Sequence, residues 1–261
     1  MNDEPRTNET VPIGNLLGCD NRSSSQSPPL TPEERERQNN EHIRRYRAES
    51  RRDAARAYFD EIRKQYPEMM AGKTRWDDPK LAANSNVIEK VIAWGAYQEA
   101  AKDENPWLSP TPPPKKGLLL AGATGRGKTR SLFALMEHMA VCGIQFHYWF
   151  STDWFAELSK QVKYGRDDAR SWVERIANIP VVILDDLGQE AIQARSEEWA
   201  MSWLFRLLDL RIGNGKSLII STNLKAEQLA VGGTDRTNTR QDPLLRRLLD
   251  LCEVVKFDDG G

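Results

Sequence analysis

Cysteine is scarce. Three residues, Cys19, Cys142 and Cys252, lie too far apart for a disulfide framework or a C-x-x-C zinc pair. That scarcity points to a reducing, intracellular compartment, and a cytoplasmic protein is expected. No apolar run approaches the roughly 18 residues of a membrane span. The N-terminus is acidic and polar and has no hydrophobic core segment, so a signal peptide is not expected. Neither sign of charge dominates: Lys plus Arg number 37 and Asp plus Glu 38, for a net charge of -1. A field over the whole molecule cannot attract nucleic acid, so any such contact needs a local basic patch. No internal repeat is visible. Together these absences exclude secreted, membrane, collagen-like and zinc-finger classes.

What is present is polar but globular. Apolar residues make up 39% and charged residues 29% of 261 residues, and mean hydropathy is -0.64. At roughly 100–200 residues per domain, one or two domains fit. Residues 1–30 read as a disordered tail, since sixteen of the thirty are Ser, Pro, Gly, Asn or Thr. Thr31-Pro32-Glu33-Glu34 then places Thr at an N-cap, Pro at the first helical position and Glu at the third, which is a capping box. Strong helix formers continue to about Tyr66, and Pro67 ends the run. Ile43, Tyr46, Tyr58, Ile62 and Tyr66 give this helix a thin apolar stripe. Six Arg stand against two acids between Arg44 and Arg56.

Residues 67–82 read as a connection. A second helix is expected at 84–101, with Val87, Ile88, Val91, Ile92 and Trp94 as a packing stripe. Five prolines between Pro106 and Pro114 make a stiff extended connector, and a domain boundary is placed there. This divides the chain into a tail at 1–30, a helical docking region at 31–105 and a core at 106–261. In the core, apolar β-rich runs at Gly117–Ala121, Gln145–Phe150, Val181–Leu184, Ser217–Ser221 and Cys252–Phe257 alternate with helices. The helices are expected at 128–141, 152–163, 167–177, 195–213 and 242–250. Such alternation predicts a buried parallel sheet of five strands with helices on both faces. The eight Trp are core or interface candidates.

The first strand leads into Gly122-Ala123-Thr124-Gly125-Arg126-Gly127-Lys128-Thr129, followed by Arg130, a complete G-x-x-x-x-G-K-[ST] motif between strand and helix. Glycines let the backbone curl so that several N–H groups converge on one phosphate, and the helix N-terminus adds positive potential. Lys128 is expected to reach the β- and γ-phosphates of ATP, and the Thr129 hydroxyl to ligate Mg²⁺. Val181–Leu184 runs into Asp185-Asp186, putting two carboxylates at the C-terminal edge of a strand, where open α/β sheets bind ligands. Asp185 would hold Mg²⁺, directly or through water. Asp186 sits where a base could orient the attacking water. A third strand ends in Ser221-Thr222-Asn223, and Asn223 can position water beside the γ-phosphate, although Asn is also common in plain turns. Arg246 and Arg247, on a short helix before the last strand, could reach a neighbouring subunit or form a solvated pair.

These four motifs, in this order, resemble an AAA+ ATPase, most closely the DnaC/IstB group of helicase loaders and transposition ATPases. Ile183-Leu184-Asp185-Asp186-Leu187-Gly188-Gln189-Glu190 is similar to that group's I-D-D-L-G-x-E signature. Trp203–Arg211 is similar to its helix ending in D-x-R, and Ser217–Leu224 to its I-I-S-T-N-L strand. Arg247-Leu248 matches its R-L pair, which makes Arg247 the candidate arginine finger, with Arg246 as its rival. The resemblance spans about residues 84–259, roughly two thirds of the chain. The polar loop 231–240 departs from the pattern. The chain ends four residues after the last strand, so a helical lid is not expected. The fold implied is a P-loop NTPase with an AAA+ core, catalysing ATP hydrolysis through Lys128, Asp185, Asp186, Asn223 and Arg247.

The resemblance also implies single-stranded DNA, a replicative hexameric helicase and self-oligomers through the ATP sites as partners. Lys160, Lys163, Tyr164, Arg166 and Arg170 offer cations around an aromatic ring, as single-strand grooves do. Asp167, Asp168 and Glu174 lie nearby, and an ordinary charged surface fits equally. The Arg-rich helix could dock a helicase, touch DNA or stay solvated. Three functions follow: a helicase loader, which the N-terminal extension favours; an IstB-like helper that selects target DNA for a transposase; and a nucleotide-switched adaptor with negligible hydrolysis.

Overall fold

A computed structural model of the chain describes residues 31–67, 94, 117–188, 198–224 and 243–257. The expectations for 1–30, the connection beyond residue 67, helix 84–101 apart from Trp94, the proline connector, Gln189, Glu190 and loop 231–240 lie outside the described residues. Contacts divide the chain into two compact units, residues 1–43 and 44–261. In the first, the expected capping box opens helix α1 (Pro32–Gln65). The Glu34 N–H donates to Thr31 Oγ1 at 3.2 Å, and the Thr31 N–H donates to Glu34 Oε2 at 2.8 Å. Two amides that helix geometry leaves without partners are thereby satisfied.

The second unit is built on five strands: β1 (Gly117–Gly122), β2 (Phe146–Phe150), β3 (Val181–Asp185), β4 (Ser217–Thr222) and β5 (Cys252–Phe257). All neighbouring pairs are parallel, in the order β2-β3-β4-β1-β5. The helices between them are α2 (Lys128–Cys142), α3 (Ser151–Tyr164), α4 (Arg166–Asn178), α5 (Glu198–Gly213) and α6 (Pro243–Leu251). The expected parallel sheet with α-helical crossovers is therefore present, and element ends differ from expectation by at most three residues.

Strand side chains alternate between two separate cores. Leu118, Leu120, Val181, Ile183 and Ile219 pack with Leu132, Phe133 and Met136 of α2. Leu119, Val182, Leu184, Leu218 and Ile220 pack with α3, α4, α5 and α6. Asp185 shares its parity with Val181 and Ile183, which aims its carboxylate at the α2 side of the sheet.

The second half of α1 belongs to the α2-side core. Phe59 and Ile62 are buried there, with Tyr58, Tyr66 and Trp94. Each large side chain removed from water contributes roughly 1.5–3 kcal/mol. The expected stripe is thus divided: Tyr58, Ile62 and Tyr66 face inward with Phe59, whereas Ile43 and Tyr46 are exposed. A helix that looks polar all round is anchored by one short run of contacts.

Two features lock helices onto this frame. Arg211 of α5 is fully buried and donates to the carbonyls of Ile176, Ala177, Pro180 and Ser217. It ties the end of α4 to the starts of β3 and β4, taking up carbonyls that a helix end leaves open. Burial pulls its guanidinium down to about 9. Gly143, at the C-cap of α2, has φ 69°, and a Cβ there would lie 2.6 Å from Arg52 Cγ and 3.0 Å from the Arg52 amide nitrogen. A side chain at this point would push α1 away. Gly143→Ala is expected to lower stability by about 1–2 kcal/mol from its left-handed backbone alone, with the lost close approach adding to that; urea unfolding of both proteins measures it.

Candidate active site

The phosphate loop joins β1 to α2. Gly127 takes φ 96° and caps α2 without a side-chain hydrogen bond. A β-carbon would strain this conformation, and its absence lets the loop turn directly into the helix. The first-turn residues Lys128, Thr129 and Arg130 therefore begin the helix at the loop itself. No acidic residue occupies that turn, which leaves the positive end of the helix dipole uncompensated by local carboxylates.

Lys128 is buried, and its ammonium donates to three oxygens. These are Gly122 O at 2.7 Å, Ala123 O at 2.8 Å and Asn223 Oδ1 at 2.6 Å. Burial pulls its pKa below the ordinary lysine value, while Asp186 and Asp185 oppose that shift. Asn223 faces two ways. Its Oδ1 accepts from Lys128, and its Nδ2 donates to Asp186 Oδ1 at 2.6 Å. Lysine, asparagine and aspartate thus form one chain across the ends of β1, β4 and β3.

Asp185 is fully buried. Its Oδ1 accepts from Thr129 Oγ1 at 3.3 Å and from the Ser221 hydroxyl. Its Oδ2 accepts from Tyr148 Oη at 3.0 Å. Burial pushes the Asp185 pKa above the usual carboxylate range, against the pull of the Ser221, Tyr148 and Thr129 hydroxyls. Asp186 leaves the strand at φ 57°. Asp tolerates this left-handed conformation better than most residues, and three bonds hold it there. Its N–H donates to Ser221 Oγ at 2.8 Å, its carbonyl accepts from Ser151 Oγ at 2.8 Å, and its carboxylate accepts from Asn223. The turn sends the second carboxylate away from the first.

The structure thus brings together Lys128, Thr129, Asp185, Asp186 and Asn223, five residues the sequence singled out. Thr129 and Asp185 present hard oxygens side by side. Among the described residues no group of three or more His, Cys, Asp or Glu could hold a metal. A donor set this small suits Mg²⁺, which keeps waters and takes its remaining ligands from substrate phosphates. Tyr148, Ser221 and Ser151 were not singled out. Ser221 lay in the S-T-N run, but only strand pairing shows its hydroxyl between the two aspartates. Tyr148 gave no local signal.

Arg247 lies on α6 and is partly buried. Its guanidinium donates to Asp209 Oδ1 at 2.7 Å, to Asp209 Oδ2 at 3.3 Å and to Pro243 O at 3.2 Å, and it lies 4.8 Å from the Phe205 ring centre. It joins α6 to α5. Arg246 is exposed and has no partner among the described residues. The candidate DNA residues lie on α3 and α4. Tyr164 is 78% exposed, and Lys163, Arg166 and Arg170 are exposed. Lys160 pairs with Glu157 at 3.1 Å. None of them contacts the phosphate-loop cluster through any hydrogen bond or ion pair described. Arg247→Ala is expected to cost about 1 kcal/mol in a urea titration, from the lost ion pair and ring contact. Arg246→Ala should stay within about 0.5 kcal/mol of the parent.

No helix among the described residues is long and apolar enough to cross a membrane. The fold is shared with known proteins. The crystal structure of the DnaC helicase loader superposes with a TM-score of 0.51 at 21% identity, covering 71% of this chain and 97% of that one. DnaI matches with a TM-score of 0.48 at 21% identity, over 73% of this chain and 90% of its own. Domain III of the Thermotoga maritima replication initiation protein DnaA matches with a TM-score of 0.45 at 19% identity, over 64% and 61%. No curated protein sequence matches. The model of one family, IstB-like ATP binding protein, covers residues 113–260, the whole sheet and the site at its edge. The chain belongs to that ATP-binding family and has a DnaC/IstB-like AAA+ P-loop NTPase fold.

Proposed function

We propose that this chain is an ATP-hydrolysing helicase loader that binds single-stranded DNA and delivers a replicative hexameric helicase. The observation that carries the ATPase part is the convergence of Lys128, Thr129, Asp185, Asp186 and Asn223 at one sheet edge. The loop 122–130 would cradle the phosphates, with Lys128 on the β- and γ-phosphoryl oxygens. Thr129 and Asp185 would hold Mg²⁺, which would neutralise phosphate charge. Asp186 orients the attacking water and accepts its proton as the oxygen–phosphorus bond forms and the bond to the β-phosphate breaks. Asn223 holds Asp186 and Lys128 at a fixed separation. Binding nucleotide requires Lys128 to exchange at least one of its three protein oxygens for phosphate.

Several features support the finer reading. The fold is that of a protein described as a helicase loader. All six Arg between Arg44 and Arg56 are exposed, a cationic surface suited to an acidic partner. The exposed Tyr164 among Lys163, Arg166 and Arg170 suits a stacked, charged single strand. We place partner docking in residues 31–105 and catalysis in 106–261. The arginine finger, given in trans to a neighbouring subunit, comes from the Arg246–Arg247 pair. The exposure of Arg246 supports its candidacy, while Arg247 would first have to leave Asp209. A second reading, an IstB-like transposition helper that selects target DNA, is favoured by the family itself. Its mark is ATP-dependent filaments on duplex DNA.

Size-exclusion chromatography with light scattering, on the protein mixed with its host's replicative helicase, tests the loader. An ATP-sensitive joint complex is expected; separate peaks with and without ATP overturn it, and the filament assay then decides for the helper. Lys128→Ala should abolish nucleotide binding or turnover. Asp186→Ala should lower turnover by about 10²-fold or more while nucleotide affinity is retained. That result also excludes a switched adaptor without hydrolysis.

A further inference from the structure

Asp185 needs donors on both oxygens, and they come from different places. Oδ1 is held by Thr129 and Ser221, from the phosphate loop helix and β4. Among the described residues, Oδ2 receives its bond from Tyr148. Register explains the reach. Phe150 of β2 pairs with Asp185 of β3, and Tyr148 lies two residues earlier on the same face. A diagonal neighbour at that spacing is within range of a long aromatic side chain.

Tyr148 is itself held from α1. Its backbone N–H donates to Tyr58 Oη at 3.2 Å, although β2 is an edge strand whose outer amides have no strand partner. Its ring meets Tyr66 edge-on with centres 6.0 Å apart, and Tyr66 also packs on Phe150 at 5.3 Å. Phe133 of α2 closes the other side at 6.0 Å. The ring is therefore packed from both sides while its hydroxyl donates to Asp185.

We propose that Tyr148 is a positioning residue of the ATPase, orienting Asp185 for its cation, and that α1 holds it in place through Tyr58 and Tyr66. The inference rests on reading this site as an ATP·Mg²⁺ site. Oriented by Tyr148, Asp185 keeps its Oδ1 edge toward Thr129. Without the hydroxyl the carboxylate is held at Oδ1 alone, and a buried oxygen is left without that donor. Partners of ligating carboxylates usually matter for metal affinity by 10–100-fold. The helical region before the sheet then reaches the catalytic carboxylate through two contacts, Tyr66 to Tyr148 and Tyr148 to Asp185.

The test is binding of a fluorescent ATP analogue, titrated with Mg²⁺ and repeated in EDTA. Tyr148→Phe keeps the ring and removes the donor. Its affinity in EDTA should match the parent, while the half-saturating Mg²⁺ concentration rises about 10-fold. A lower melting temperature with an unchanged Mg²⁺ midpoint would mean a merely structural hydroxyl and overturn the proposal. Tyr66→Leu should raise the midpoint in the parent and add nothing in the Tyr148→Phe background; additive effects overturn the role of α1. Lys128→Ala separates the two levels. Loss of analogue binding there, with a normal midpoint in Tyr148→Phe, overturns this inference and leaves the site standing. Retained binding together with unchanged ATP turnover in Lys128→Ala overturns both.

Discussion

A carboxylate with no exposed surface stands at the end of the strand between β2 and β4, and much of the molecule is arranged to tolerate it. An ionised group taken out of water is costly unless every oxygen finds a donor. Asp185 finds three hydroxyls, from Thr129, Ser221 and Tyr148. Each comes from a different element, α2, β4 and β2. Those bonds form only while all three elements keep their places. Fold and site therefore share one constraint: sheet pairing that slips by a residue would turn Asp185 into the opposite core of Leu and Trp side chains.

The same constraint gives meaning to the second half of α1. A long polar helix with few apolar residues would have little reason to pack. Here Phe59 and Ile62 anchor it, and Tyr58 completes an edge amide of β2. Sheet edges carry unpaired backbone groups that must be covered or solvated. Covering this edge with a tyrosine from α1 satisfies one of them and fixes the strand that carries Tyr148. The close approach at Gly143, where a side chain would strike Arg52, shows how tightly helix and core are joined.

Much of this was legible from local patterns. The capping box at Thr31 and Glu34, the glycine loop and the alternation of strands with helices each follow from short-range rules, and each appears as expected. Parity along Val181–Asp185 even determines which aspartate faces α2. What was not legible depends on pairing between distant segments. Tyr148 looks like one more aromatic in a buried strand until register sets it diagonally before Asp185. Phe59 was missed although it stands at helical spacing with Ile62 and Tyr66, because Tyr58 beside it drew the stripe one position away. Arg247 matched a motif, yet its partner, Asp209, lies on another helix, and spacing alone could not reveal that bond.

Two hydrogen-bond chains cross the site, and one side chain joins them. The first runs from Lys128 through Asn223 to the Asp186 carboxylate. The second runs from Tyr148 through Asp185 to the Ser221 hydroxyl. Ser221 accepts from the Asp186 N–H and donates to Asp185. It can do both only because a hydroxyl is donor and acceptor at once. Asp186 is held at φ 57° by bonds of which the one to Ser221 belongs to both chains. Lys128 and Asp185, proposed above to meet the nucleotide and its cation, are thus connected through Asn223, Asp186 and a single serine.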